Sequence, residues 1–177
     1  FGFKDESIGS LFALCKEGFT VLDIGVNIGW TVQNLAKRCG KGKVYGFEPD
    51  PYNFQRCSEN LKSNGFDNIQ IFPVGLGSEN RQVDMEIRTP SNLGGNRVAP
   101  PGAKSSRPVQ SIQIVRLDDF PPIRDLARLD LIKMDVEGYE LMVLRGGEQL
   151  LRRFRPILFI ELDAKHAGLG PTHLLRS

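Results

Sequence analysis

Two acidic residues and a glycine-rich turn are the part of the sequence whose residue types and spacing first suggest chemistry. Asp23, Gly25, Asn27 and Gly29 lie in the segment VLDIGVNIGW, where an apolar run changes into a helical pattern. Glycines allow a ligand to approach the backbone closely, and a helix start offers unpaired N–H groups to a carboxylate. The alternative is that the glycines only pack the helix onto the strand, so the turn alone does not identify a ligand.

Glu48 adds a second, independent feature. It closes the next apolar run, the position from which an acid accepts hydrogen bonds from both hydroxyls of a ribose. By itself such an acid is also typical of a solvated strand end. Together with the glycine turn, it predicts a nucleoside-binding site.

The charge of the turn distinguishes between two nucleoside ligands. Asp23 precedes the first glycine, and Asn27 stands where a dinucleotide-binding turn requires its second glycine. A carboxylate at this position repels a pyrophosphate but attracts the sulfonium and ammonium groups of S-adenosylmethionine. The sequence therefore predicts S-adenosylmethionine as the cofactor.

Candidate catalytic residues follow a later apolar run. Lys133 and Asp135 share one face of the predicted strand, and Asp135 reaches the carboxyl edge of the sheet, where ligands bind. Asp135, Glu137 and His166 are candidate general bases, and Lys133 is a further catalytic candidate. The alternatives are an Asp135–Lys133 structural ion pair, a Glu137 that caps the following helix, and a surface His166.

A metal site is the weaker interpretation of the acids at this edge. Asp135 and Glu161 close neighbouring predicted strands, as two ligands of a magnesium ion would. No third ligand is evident, and we predict no functional metal.

The elements that position these residues alternate in type along the chain. Such alternation with short connections predicts an α/β fold with a mostly parallel sheet covered by helices on both faces. After a leading helix within residues 1–18, strands are predicted at 19–24, 44–48, 69–74, 129–134 and 156–162, and helices at 30–39, 51–63 and 138–154.

Residues 83–88 and 109–117 break this alternation, because they look like two strands with only a loop between them. We expect an antiparallel hairpin inserted into the fold. The loop at 89–107 is rich in Gly, Pro, Ser and Asn and is either a lid or a flexible segment.

Composition limits the remaining possibilities. The 177 residues fit one domain, and a net charge of +2 does not indicate a nucleic-acid partner. Cys15, Cys39 and Cys57 match neither a metal nor a disulfide pattern and are expected to be packing residues. No apolar stretch is long enough to span a membrane, and no signal peptide opens the chain, so we expect a cytoplasmic protein.

Several segments together resemble the FkbM family of class I methyltransferases. These segments are DIGVNIG at 23–29, FEPD at 47–50, LDDF at 117–120, LIKMDVEGYE at 131–140, LRGGEQLL and RPILFIEL. The resemblance implies a Rossmann-like three-layer sandwich, S-adenosylmethionine as methyl donor, and O-methylation of a small hydroxylated acceptor such as a sugar, a glycan or a secondary metabolite.

The resemblance also implies roles for individual residues. It assigns Asp23, Gly25, Asn27 and Gly29 to the methionine part of the cofactor, Glu48 to the ribose and Pro49 to the adenine. The usual acid for the adenine amino group is missing after the third strand, so we expect backbone and apolar contacts from Gly75 and Leu76 there.

Two other functions remain open. RNA or nucleobase methylation occurs in the same fold, but the [DN]PP[YF] turn that is common in such enzymes is absent and no basic stripe with stacking aromatic residues is present. A non-catalytic module that binds S-adenosylmethionine is the third possibility.

Overall fold

A computed structural model of the chain describes residues 6–87, 96–99 and 108–161. Its centre is a five-stranded parallel sheet in the order β3-β2-β1-β8-β9. The strands are β1 Thr20–Ile24, β2 Lys43–Phe47, β3 Ile69–Phe72, β8 Leu131–Met134 and β9 Ile157–Ile160. The helices are α1 Glu6–Leu14, α2 Trp30–Cys39, α3 Pro51–Asn64, α4 Pro121–Arg124, α5 Glu140–Gly146 and α6 Glu148–Phe154.

Apolar side chains on both faces of this sheet explain the three layers. On one face Val21, Val44 and Leu131 pack with residues of α1, α2 and α3, including Leu11 and Leu35. The alternate residues of the same strands pack on the other face, against residues of α4, α5 and α6; this second cluster includes Leu22, Ile24, Phe47, Ile132, Met134, Ile123, Val143 and Leu150. The predicted three-layer α/β sandwich is confirmed.

The predicted hairpin is present, but it belongs to a second sheet. β5 Arg81–Glu86 pairs antiparallel with β7 Val109–Val115, so its two strands differ by a few residues from the predicted 83–88 and 109–117. Two short strands, β4 Gly75–Leu76 and β6 Arg97–Val98, complete the order β4-β7-β5-β6. The predicted strand at 69–74 therefore ends at Phe72, because the chain crosses there from the first sheet to the second.

The prediction of one continuous helix at 138–154 is wrong. The helix begins at Glu140, and a break at Gly147 divides it into α5 and α6. Packing explains the glycines, since a side chain at Gly146 would overlap the carbonyl of Gly77. The carboxylate of Asp118 accepts hydrogen bonds from the N–H groups of Gln149 and Leu150 at 3.1 and 2.9 Å, which stabilises the start of α6.

The remaining expectations concern the cysteines, a membrane span and residues outside the described ranges. All three cysteines are buried and unpaired, as expected of packing residues. None of the described helices is long and apolar enough to cross a membrane. His166 and most of the loop at 89–107 lie outside the described residues.

Candidate functional site

The glycine turn lies between the ends of three strands. Gly25 has a φ of 84°, and its N–H and that of Val26 donate to the carbonyl of Phe47 on β2 at 3.0 and 3.1 Å. A side chain at Gly25 would overlap the carbonyl oxygen of Asp135, which follows β8. The turn therefore requires glycine both for its left-handed backbone and for its close contact with the β8 end.

Glu48 is fixed against this turn by hydrogen bonds to both carboxylate oxygens. Oε2 accepts from the N–H of Asn27 at 2.8 Å, and Oε1 accepts from the N–H of Asp50 at 3.0 Å. Burial raises the pKa of Glu48 to about 7, although these two hydrogen bonds oppose the shift. Each oxygen keeps a further lone pair, so the carboxylate can accept two hydroxyl groups from a ligand.

Asp23 and Lys133 form a buried ion pair beneath the turn. Nζ of Lys133 lies 3.2 Å from Oδ1 of Asp23 and 3.8 Å from Oδ2 of Asp135, and it donates to the carbonyl of Gly25 at 3.0 Å. Burial raises the pKa of Asp23, against the effect of Lys133. Burial by itself lowers the pKa of Lys133, but the carboxylates of Asp23 and Asp135 outweigh it and raise that pKa. The lysine therefore pairs more closely with Asp23 than with Asp135.

One cavity gathers most of the predicted site residues at the carboxyl edge of the first sheet. It encloses about 760 Å³ of empty space, which includes space open to solvent at its mouth. The predicted residues that line it are Gly25, Asn27, Glu48, Pro49, Gly75, Leu76, Asp135 and Glu137.

Other predicted residues lie outside the cavity lining. Asp23 is fully buried and Lys133 is 5% exposed, and neither residue lines the cavity. Gly29 is the N-cap residue of α2, and a side chain there would approach Sγ of Cys57 on α3 to 2.7 Å. The packing explanation thus accounts for Gly29, which contacts α3 and does not line the cavity.

The loop between β8 and α5 places two acids in the cavity wall. The N–H of Asp135 donates to the carbonyl of Ile24 at 3.0 Å, which fixes the loop to the end of β1. Glu137 adopts a positive φ of 51° and lines the cavity. The N-cap residue of α5 is Tyr139, two positions after Glu137.

The second sheet supplies a wall of the cavity that sequence reasoning missed. Its apolar part consists of Met85, Val98, Ile112 and Ile114. Alternation in residues 109–117 could have indicated an apolar face, but the sequence does not show which part of the fold that face covers. The parallel pairing of β4 with β7 places Gly75 and Leu76 within this sheet, next to Ile114 and Val115.

Polar cavity residues were also missed. They are Asn53, Asn96, Arg97 and Tyr139. The amide of Asn96 donates to Oδ2 of Asp50 at 2.6 Å, and Nε of Arg97 lies 3.1 Å from Oε2 of Glu86. The first contact ties the residue before β6 to the N-cap residue of α3, and the second ties β6 to β5. Within the described ranges, no three His, Cys, Asp or Glu residues are grouped as metal ligands.

Comparison with known proteins gives a family match and several relatives. A family model described as the methyltransferase FkbM domain matches residues 23–174. The 2-O-methyltransferase NoeI of Sinorhizobium fredii is 32% identical over 151 residues, which are 76% of this chain and 60% of that protein. The hexuronic acid methyltransferase AglP of Haloferax volcanii is 27% identical, over 95% of this chain and 64% of that protein. The chain thus spans less than two thirds of both relatives.

One solved structure is also similar to this chain. It is a SAM-dependent methyltransferase from Aquifex aeolicus, with 22% sequence identity and a TM-score of 0.48 over 89% of this chain and 62% of that one.

Proposed function

Because the chain belongs to the FkbM methyltransferase family, whose methyl donor is S-adenosylmethionine, we propose that it methylates a hydroxyl group of a sugar-like acceptor. The observation that carries this proposal is the hydrogen bond between Asn27 and Glu48, in the same cavity as Asp135. The two relatives support the acceptor class, since one is named a 2-O-methyltransferase and the other a hexuronic acid methyltransferase.

The charges of the cavity suit a cationic nucleoside. Glu48, Asp135 and Glu137 line it, and the buried carboxylate of Asp23 lies beneath the turn. A sulfonium and an ammonium group are attracted by this set of acids, whereas a pyrophosphate would be repelled. We assign Glu48 to the ribose hydroxyls, the Gly25–Asn27 turn to the methionine part, and Pro49, Gly75 and Leu76 to the adenine.

The bound donor supplies an electrophilic methyl group, and the chain must align the acceptor and remove its proton. With the donor bound, the acceptor oxygen would bond to the methyl carbon, the carbon–sulfur bond would break, and its electron pair would stay on sulfur. We assign Asp135 as the base that takes the hydroxyl proton, with Glu137 as the alternative. Both lie on the loop that is fixed to β1 by the hydrogen bond from Asp135 to Ile24. His166 stays a candidate base.

Calorimetry with S-adenosylmethionine and its demethylated product, S-adenosylhomocysteine, tests the first half of this proposal. We expect binding by the intact chain and a loss on the order of tenfold or more in Glu48→Ala, which removes the acceptor of two hydroxyl hydrogen bonds. Glu59→Ala is the matched control, because Glu59 lies on α3 with its side chain 52% exposed. Equal affinity in the two variants would refute the proposed ribose site.

A labelled-methyl assay tests the second half. We expect label to enter neutral sugars or uronic acids at a hydroxyl, with the product identified by mass spectrometry. Transfer to RNA instead would favour the nucleic-acid alternative. Cofactor binding without transfer to any hydroxylated acceptor would favour a non-catalytic module.

A further inference from the structure

We propose that Lys133 is a positioning residue for the methyl-donor site: its ammonium group holds the Gly25 carbonyl and the Asp23 carboxylate, and so fixes the glycine turn. This inference rests on the proposed function, because the turn is the element assigned to the cofactor. Lys133 does not line the cavity. It therefore acts through the residues it contacts and not on the reacting atoms.

Lys133 makes one hydrogen bond, to the carbonyl of Gly25, and two ion-pair contacts. Nζ lies 3.0 Å from the carbonyl oxygen of Gly25, 3.2 Å from Asp23 and 3.8 Å from Asp135. Register brings the lysine there, since Asp23 and Lys133 are directly opposite on the parallel strands β1 and β8. One side chain thus connects the turn after β1 to the strand that carries the predicted base.

The turn has a partner on each side. Its N–H groups at Gly25 and Val26 donate to Phe47 on β2, while its carbonyl at Gly25 accepts from Lys133 on β8. Removing the lysine would leave this half-buried carbonyl without that donor, which costs free energy. We expect the turn to lose its fixed distance from the β8 loop as a result.

Asp23 depends on the same lysine. Neither of its carboxylate oxygens accepts a well-aligned hydrogen bond within the described part of the chain, and its side chain is fully buried. The ion pair with Lys133 is therefore the interaction that compensates this charge. Replacing both Asp23 and Lys133 by neutral residues leaves no uncompensated carboxylate. Such a double variant therefore tests whether Lys133 positions the turn or only balances the charge of Asp23.

The charge of Lys133 also reaches Glu48, whose pKa it lowers against the larger effect of burial. Without the lysine, the pKa of Glu48 rises further above its value of about 7. The other charged or titratable groups near Glu48 belong to α3, β1, β6 and the β8–α5 loop; they are Asp50, Cys57, Asp23, Arg97, Asp135 and Glu137.

The test compares wild type, Lys133→Met and the neutral double variant Asp23→Asn with Lys133→Met. Affinity for S-adenosylhomocysteine is measured by calorimetry from pH 5.5 to pH 9, and folding by thermal melting. We expect the single variant to melt earlier and the double variant to recover most of that loss. Both are expected to bind on the order of tenfold more weakly at pH 8, with the midpoint of their pH dependence shifted upward.

Any other result contradicts either the positioning role of Lys133 or the proposed function. A folded double variant with wild-type affinity and midpoint would show that Lys133 only balances the charge of Asp23. A double variant that does not fold would assign the pair to folding alone and would equally overturn the positioning role. Absence of binding by wild type would instead contradict the proposed function.

Discussion

Asn27 donates its backbone N–H to Oε2 of Glu48 at 2.8 Å, so the glycine turn and the acid at the end of β2 form one hydrogen-bonded unit. The two features that suggest a nucleoside site in the sequence are therefore not merely close in space. A ligand that contacts the carboxylate of Glu48 also meets the backbone of the turn, and the protonation of Glu48 should affect its binding.

Cofactor affinity should fall as the pH is lowered through 7. Burial raises the pKa of Glu48 to about 7, and only the ionised carboxylate accepts both ribose hydroxyls. Since the competent fraction falls with protonation, we expect the dissociation constant of S-adenosylhomocysteine to be about tenfold higher at pH 6 than at pH 8. Calorimetry across this range measures it. Glu48→Gln should bind weakly with a flat profile, and a flat profile in wild type would contradict the prediction.

The free energy of unfolding of the cofactor-free protein should fall as the pH rises, whereas cofactor affinity should increase. The pKa of Glu48 is raised from 4.5 to about 7 on folding, so the folded state binds more protons between these values. The stabilisation is complete below pH 4.5 and is lost as the pH rises through 7, by up to about 3 kcal/mol.

Urea unfolding at several pH values measures this loss. Asp23, whose pKa burial also raises, contributes with the same sign. The decisive comparison is therefore between wild type and Glu48→Gln, which should lose less stability over the same range. Parallel curves for the two proteins would show that Glu48 does not cause the loss.

Gly25→Ala should be far more damaging than Gly18→Ala. Both glycines have a positive φ, 84° and 77°, but a side chain at Gly25 overlaps the Asp135 carbonyl whereas one at Gly18 meets nothing within 4 Å. The backbone penalty of about 1 kcal/mol is common to both, and the overlap adds at least about 2 kcal/mol at Gly25. Denaturant unfolding and cofactor binding measure the difference. Similar losses in both variants would mean that the close contact is unimportant.

Asp135→Asn should slow methyl transfer without abolishing cofactor binding. Loss of a positioned base typically lowers the rate by about 10²- to 10⁴-fold. We expect a loss in this range for kcat in Asp135→Asn, a smaller one in Glu137→Gln, and no change in the exposed control Asp67→Asn. Steady-state kinetics with an identified acceptor provides the values. Full activity in both site variants would leave His166 as the remaining candidate base.

The sequence alone determined the family, the cofactor class and the central fold. These follow from local patterns: apolar strand runs separated by helices, the DIGVNIG turn, Glu48 at the end of a strand, and the KMDVEGYE segment. A parallel sheet brings the carboxyl ends of its strands to one edge, so the meeting of Gly25, Glu48 and Asp135 could be predicted without coordinates.

Only the tertiary structure showed the second sheet and the buried Lys133–Asp23 pair near the carboxyl edge of the first sheet. Pairing of β4 with β7 makes the hairpin part of a second sheet, which forms one wall of the cavity. The register of β1 with β8 places Lys133 opposite Asp23, so that Lys133 lies closer to Asp23 than to Asp135. The bond from Lys133 to Gly25 joins residues 108 positions apart. Such partners depend on which strands meet and in which register, and local residue patterns carry no information about either.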